Sequence, residues 1–154
     1  MRVVVAVVGK PRDANLAGAI RDYEARAARY WPLDVREVRQ ESAAGPSAGR
    51  AREAEAERLL VAIPPAAQVV ACDVSGRAFT SEAFAEWLQS IRERAVDVAF
   101  AIGGAFGLGE SLKSRASLTL SLAPWTLPHE LARLVLAEQL YRAGTIVRRE
   151  PYHK

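Results

Sequence analysis

The sequence predicts an α/β domain built on a mostly parallel sheet with helices on both faces. Three observations carry that expectation. The run "VVVAVVG" (3–9) is β-branched, apolar and closed by glycine, the character of a strand buried on both faces. Stretches of strand character then alternate with stretches of helical period along all 154 residues. Finally, no repeat of fixed period and no domain boundary breaks the rhythm, so one domain over 1–154 is expected.

After the first strand, "DANLAGAIRDYEARAARYW" (13–31) carries apolar residues at Leu16, Ile20, Tyr23 and Ala27, a helical spacing. "LDVREVR" (33–39) alternates and reads as a second strand. "ESAAGPSAG" (41–49) is a flexible loop, and the Ala/Glu/Arg-rich helix after it runs to about Ile63, where two prolines stop it. "QVVACDV" (68–74) is a strand and "SGRAF" (75–79) a turn. "TSEAFAEWLQSIRERA" (80–95) is a helix capped by Thr80 or Ser81. "DVAFAI" (97–102) is a strand that runs into "GGAFGLG", and "SLTLSL" (117–122) is another. The last helix starts near Pro128, suited to a first turn, and ends at Gly144, a natural C-cap residue.

Composition narrows the function. Half the residues are hydrophobic and a quarter charged, as in soluble globular proteins. The opening apolar run is too short to span a membrane and lacks a signal-peptide pattern, so a cytoplasmic location is expected. Cys72 is the only cysteine and His129 and His153 the only histidines, which leaves no internal disulfide and argues against a metal centre. The net charge of +3 is compatible with a nucleic-acid partner. Cations also gather late: Arg142, Arg148, Arg149 and Lys154 stand against Glu150 alone after residue 140.

Several enzyme signatures fail. "PHELAR" starts like a zinc-protease helix, but Arg133 stands where the second histidine is needed. "GGAFGLG" matches neither GxGxxG nor the Walker pattern, and no GxSxG elbow occurs. Cys72, in an apolar strand, reads as a small buried hydrophobe rather than a nucleophile. Gly103 and Gly104 sit at the carboxyl end of a strand, where open α/β sheets bind ligands; they serve either close approach to a flat ligand or a tight packing turn. The last helix is apolar nearly all round, through Leu131, Leu134, Val135, Leu136, Leu140 and Tyr141. Such a helix suits a deep core or an oligomer interface. Within it Glu138 and Arg142 stand at i,i+4 on the side of Leu131 and Val135, and His129 and Arg133 form a second such pair.

"FAIGGAFGLG", "LSLAPWTLPHELARLVLAEQLYRA" and "EPYHK", in this order and spacing, resemble the RlmH family. Its members are pseudouridine N3-methyltransferases of large-subunit ribosomal RNA in the SPOUT superfamily. The likeness runs end to end and is most specific from Phe100 onward. It implies a SPOUT α/β fold with a C-terminal trefoil knot, although most folds avoid knots. It also implies a homodimer, S-adenosyl-L-methionine as cofactor, and pseudouridine in helix 69 of 23S ribosomal RNA, within assembled ribosomes, as substrate. A SPOUT enzyme acting on transfer RNA and a non-catalytic RNA-binding SPOUT module are the alternatives.

Carried over residue by residue, the resemblance assigns cofactor binding to Cys72, Gly103, Gly104, Leu122, Ala123, Pro124, Trp125, Thr126, Leu127 and Pro128. It places Glu138, Arg142, Tyr152 and His153 at the catalytic end, and His129, Arg133, Arg149 and Lys154 become candidate RNA contacts. Cys72 and the Pro124–Trp125 pair depart from the family's usual residues; Trp125 either narrows the cofactor loop or packs in the core. Arg142 would stabilise the imidate that develops on the base, His153 would take the N3 proton, and Tyr152 would stack on the base. The tail "REPYHK" offers nothing local to offset an ordering cost of about 1–2 kcal/mol per residue. It is therefore expected to stay loose until RNA or a partner chain docks, with an extended reach of about 20 Å.

Overall fold

The structure, a computed structural model, describes residues 1–42 and 47–153, with only the backbone at 153. Residues 43–46 of the expected 41–49 loop and Lys154 therefore lie outside the described residues. The elements run β1 (Val3–Val8), α1 (Ala14–Ala27), β2 (Leu33–Val38), α2 (Ala48–Ala62), β3 (Gln68–Ala78), α3 (Ser81–Glu93), β4 (Val98–Ile102), α4 (Glu110–Arg115), β5 (Leu118–Ser121) and α5 (His129–Val147). A 3₁₀ turn, Pro151–His153, follows.

The five strands form one sheet in the order β2-β1-β4-β3-β5, every pairing parallel. This is the α/β architecture that the alternating sequence predicts, and it is compatible with the expected knot. β1 shows why it assembles. Val3, Val5 and Val7 point into a core shared with Ala27 of α1, Leu88 of α3 and Leu136 of α5. Val4, Ala6 and Val8 point the other way, onto Leu59 of α2 and Leu112 of α4. Each fully buried valine contributes about 1.5–3 kcal/mol, and the period of two divides that contribution between the faces.

Caps set the helix starts. Thr80 accepts the Ala83 N–H at 3.1 Å, as the sequence predicts, and Asp13 accepts the Leu16 N–H at 2.9 Å. α4, which the sequence does not announce, has no cap of its own. Instead Glu53 on α2 accepts from the backbone of Glu110 and Ser111.

Three local expectations change. "SGRAF" is not a simple turn: β3 continues to Ala78, and residues 73–76 stand outside a register that jumps from Cys72↔Leu120 to Arg77↔Leu120. Gly144 does not end the last helix, which continues to Val147. A Cβ there would lie 2.3 Å from Tyr30 Cγ, so glycine serves the close approach of Tyr30 to α5. The tail is not loose either. Arg149 turns the chain with φ of 58°, the Glu150 N–H reaches Thr145 O at 2.8 Å, and Tyr30 donates its hydroxyl to Glu150. The partners that offset the ordering cost come from α1 and α5, outside the tail itself.

Candidate cofactor cavity and cation–aromatic cluster

The carboxyl ends of β3 and β4 and the segment after β5 surround a cavity of about 480 Å³, within the range of small-molecule sites. Cys72, Gly103, Gly104, Leu122, Ala123, Trp125, Thr126, Leu127 and Pro128 all line it. Pro124 is exposed and stands outside the lining. His129, at the start of α5, completes the wall beside Ala132.

Gly103 answers the question its residue type left open. A Cβ on it would meet Gly107 O at 2.6 Å, so glycine lets the 103–109 loop fold back on itself and present backbone to the cavity. Gly104 has a different neighbour: a Cβ there would lie 2.9 Å from Oε2 of Glu55. Glu55 is 1% exposed. Its Oε1 accepts the Glu41 N–H at 2.9 Å, while Oε2 has no hydrogen-bond partner among the described residues. The loop thus rests on a buried, half-satisfied carboxylate.

Cys72 contributes apolar wall rather than chemistry. Part of its surface meets the cavity, yet desolvation of the thiol, with Asp73 adding repulsion, pushes its pKa up to about 12, so a reactive thiolate is ruled out near neutrality. Asp73 is a lining residue that the sequence reading missed, and among the described residues it is the only carboxylate in a lining that has no lysine or arginine. Hydrogen bonds from Ser75 and the nearby Lys113 hold its carboxyl below the usual range. Its place directly after Cys72, at a strand's carboxyl end, was the available signal.

These walls fit S-adenosyl-L-methionine. Ile102, Leu108, Leu122 and Leu127 offer apolar contact to a purine, and exposed loop backbone offers donors and acceptors. A wall with one carboxylate and no lysine or arginine suits a ligand carrying sulfonium and ammonium charges.

A second cluster lies farther along α5. Arg142 donates to Glu138 through Nε at 3.0 Å and Nη2 at 2.6 Å, and the carboxylate raises the pKa of the guanidinium. The Tyr152 hydroxyl also reaches Glu138, at 3.1 Å, while its ring lies 4.5 Å from that of Tyr141 and 4.9 Å from Arg142 Cζ. Burial first, then hydrogen bonding with Tyr23 and Glu138, drives the Tyr152 pKa up. The sequence-predicted catalytic residues Glu138, Arg142 and Tyr152 are therefore brought together. The side chain of His153 lies outside the described residues.

One chain does not bring the two clusters to each other. Neither Glu138, Arg142 nor Tyr152 lines the cavity. At 1.5 Å per residue, Glu138 lies about 9 Å and Arg142 about 15 Å along α5 from Ala132. Arg133 also departs from expectation as an RNA contact: it is 5% exposed and bonds Glu24 at 2.7 Å and 3.2 Å. It is a buried tie between α5 and α1. Arg149 is exposed, as an RNA contact requires.

A parallel α/β sheet carries a ligand cavity at its strand ends, and a family model described as "Predicted SPOUT methyltransferase" matches residues 1–153, which places the chain in the SPOUT class. The solved structure of TrmJ from Z. mobilis shares the fold, with a TM-score of 0.50 at 23% identity, covering 93% of this chain and 70% of its own. Full-length relatives are closer. Ribosomal RNA large subunit methyltransferase H of Gemmatimonas aurantiaca is 62% identical over 154 residues, covering 100% of both chains. The protein of that name from an Anaeromyxobacter species is 46% identical over 100% of both chains, and that from Syntrophotalea carbinolica 40% identical over 99% of both. The chain belongs to the RlmH family of SPOUT methyltransferases.

Among the described residues, no helix is long and apolar enough to cross a membrane. No group of three or more metal-ligating side chains occurs among them.

Proposed function

We propose that this protein methylates N3 of a pseudouridine in helix 69 of 23S ribosomal RNA, on assembled ribosomes, using S-adenosyl-L-methionine. The observation that carries this reading is the cavity at the strand carboxyl ends, whose described lining holds one carboxylate, Asp73, and no lysine or arginine. The relatives' shared name, ribosomal RNA large subunit methyltransferase H, supports the RNA class.

The cofactor supplies an activated methyl group when bound. The chain's own work is alignment, which can replace a large part of the barrier, and management of the N3 proton. Arg142, kept cationic and aimed by Glu138, stabilises the negative charge that develops as that proton leaves. His153 accepts the proton, directly or through water. Because cavity and cluster are separate in one chain, the working site joins the cavity of one copy to the cluster of another in a homodimer. The protein acts in the cytoplasm, where ribosomes are.

The test offers ribosomes from cells lacking this modification, free large subunits and transfer RNA, each with labelled cofactor. Mass spectrometry should place the methyl on a helix 69 pseudouridine of intact ribosomes. Label confined to transfer RNA would overturn the substrate. No calorimetric heat with the cofactor at millimolar concentration would overturn the enzyme reading.

A further inference from the structure

Three large apolar side chains are exposed among the described residues: Val61 at 88%, Trp125 at 80% and Val74 at 48%. Val61 lies on α2, but Val74 and Trp125 both line the cavity at the strand ends. The sequence left open whether Trp125 packs in the core. It does not, and the other tryptophans differ from it sharply. Trp31 is 1% exposed beneath Arg92, and Trp87 packs among Phe79, Phe84 and Phe100. No ring or cation contact holds the Trp125 indole among the described residues. Tyr152, the ring the sequence favoured for stacking on a base, is occupied by Tyr141 and Arg142.

We infer that Trp125 is the stacking platform for an unstacked nucleobase of the substrate RNA at the cavity mouth, with Val74 as a second apolar contact. The inference rests on the proposed RNA methylation and extends it to a residue that recognises substrate. A base that meets a methyl donor inside the cavity must first leave its own stack, and the lost contact has to be replaced. An indole face is the surface that replaces it, with little regard to base identity. The mouth does not repel a polyanion strongly, because Asp73 is offset by Lys113 at 3.3 Å. RNA is the occupant the reading requires here, because the base must reach this cavity even when a second copy supplies the cluster.

The test uses the full chain with Trp125→Ala and Trp125→Phe. In methyl transfer to ribosomes, Trp125→Ala should raise the ribosome KM about 10- to 100-fold, the worth of one base–aromatic stack. The cofactor Kd, from calorimetry, should stay within the same order of magnitude, and Trp125→Phe should recover most of the loss. Because Trp31 and Trp87 are packed, the red edge of tryptophan emission reports Trp125. A helix 69 RNA hairpin should quench it, and S-adenosyl-L-methionine alone should not.

An unchanged ribosome KM in Trp125→Ala would overturn the inference while leaving the methyltransferase reading intact. So would a lost cofactor affinity with unchanged ribosome KM, which would place the indole over the cofactor. A shift from dimer to monomer in sedimentation would show instead that a second copy covers the ring. If the wild-type protein transfers no methyl to ribosomes, the functional reading fails on its own. The hairpin titration then still decides the role of Trp125, and absence of quenching overturns it.

Discussion

Arg133 enters the α1–α5 interface with 6% of its side chain exposed, opposite Glu24 at 15%. Its Nη1 approaches Glu37 at 3.5 Å without forming a hydrogen bond, so Glu24 carries the pairing. Removing one partner of a buried pair leaves the other charge stranded, at a cost of about 3–5 kcal/mol. Arg133→Met should therefore lower the urea midpoint strongly, and adding Glu24→Gln should recover much of the loss; a small single-variant effect would mean the charges are well solvated. Arg142 has the opposite profile, an i,i+4 pair with a side chain 28% exposed. Arg142→Ala should leave the melting temperature nearly unchanged and cut turnover about 10²–10³-fold, as loss of a charge-stabilising donor does. Tyr30 gives a pH signature. Donation to Glu150, with burial and the carboxylate's charge behind it, pushes its pKa up to about 12. The folded state thus holds a proton that the unfolded chain releases near 10. This contribution is complete below about pH 10 and lost as pH rises through about 12. Tyr30→Phe should flatten that part of the alkaline unfolding profile.

At the scale of elements, the tail and α5 behave as one unit. Glu150 and Tyr152 are tied to Tyr30, Tyr23 and Glu138, so deleting residues 150–154 removes contacts from two helices. The deletion should abolish methyl transfer, with the cofactor Kd from calorimetry nearly unchanged because no tail residue among those described lines the cavity. The way the tail is held also marks the limit of what sequence could reveal. β1 and the cap of α3 were legible because their causes are local: a β-branched run, and an oxygen three residues before its N–H. α4 was not, because its cap, Glu53, lies 57 residues before Glu110. Gly144 was misread because the reason for glycine is a ring in the turn after α1, Tyr30. Arg133 was paired in sequence with His129, but its charge partner is 109 residues away. Within the site, the cavity loops were legible from glycines at strand ends, while Asp73 was missed although its place directly after Cys72 offered a signal.

The separation of cavity and cluster belongs to the whole molecule. In one copy, the lining of the cavity on α5 stops at Ala132, and the guanidinium meant to face the reacting base is about 15 Å farther along the same helix. A rigid α-helix cannot shorten that distance, so either α5 unwinds or a second copy supplies the cluster. Unwinding would expose Leu136, Leu140 and Ala143, all at or below 1% exposure, and would cost several kcal/mol at about 1.5–3 kcal/mol per large buried side chain. A two-fold dimer involves no such loss, and the half-exposed apolar side chains Leu131, Leu134 and Val135 on α5 give it a surface to use. Complementation tests this directly. Arg142→Ala spoils the cluster but keeps the cavity, whereas Ala105→Trp places a large ring in the cavity lining from an exposed position and keeps the cluster. Each homodimer should be inactive. Unfolded together and refolded at equal amounts, half the two-fold dimers are mixed and each has one intact composite site, so activity should return to roughly a quarter of wild type. A site contained within one chain would be spoiled in every subunit, and the mixture would stay inactive. Recovery therefore assigns cavity and cluster to different copies, while continued inactivity of a mixture shown to contain mixed dimers would require α5 to rearrange on binding.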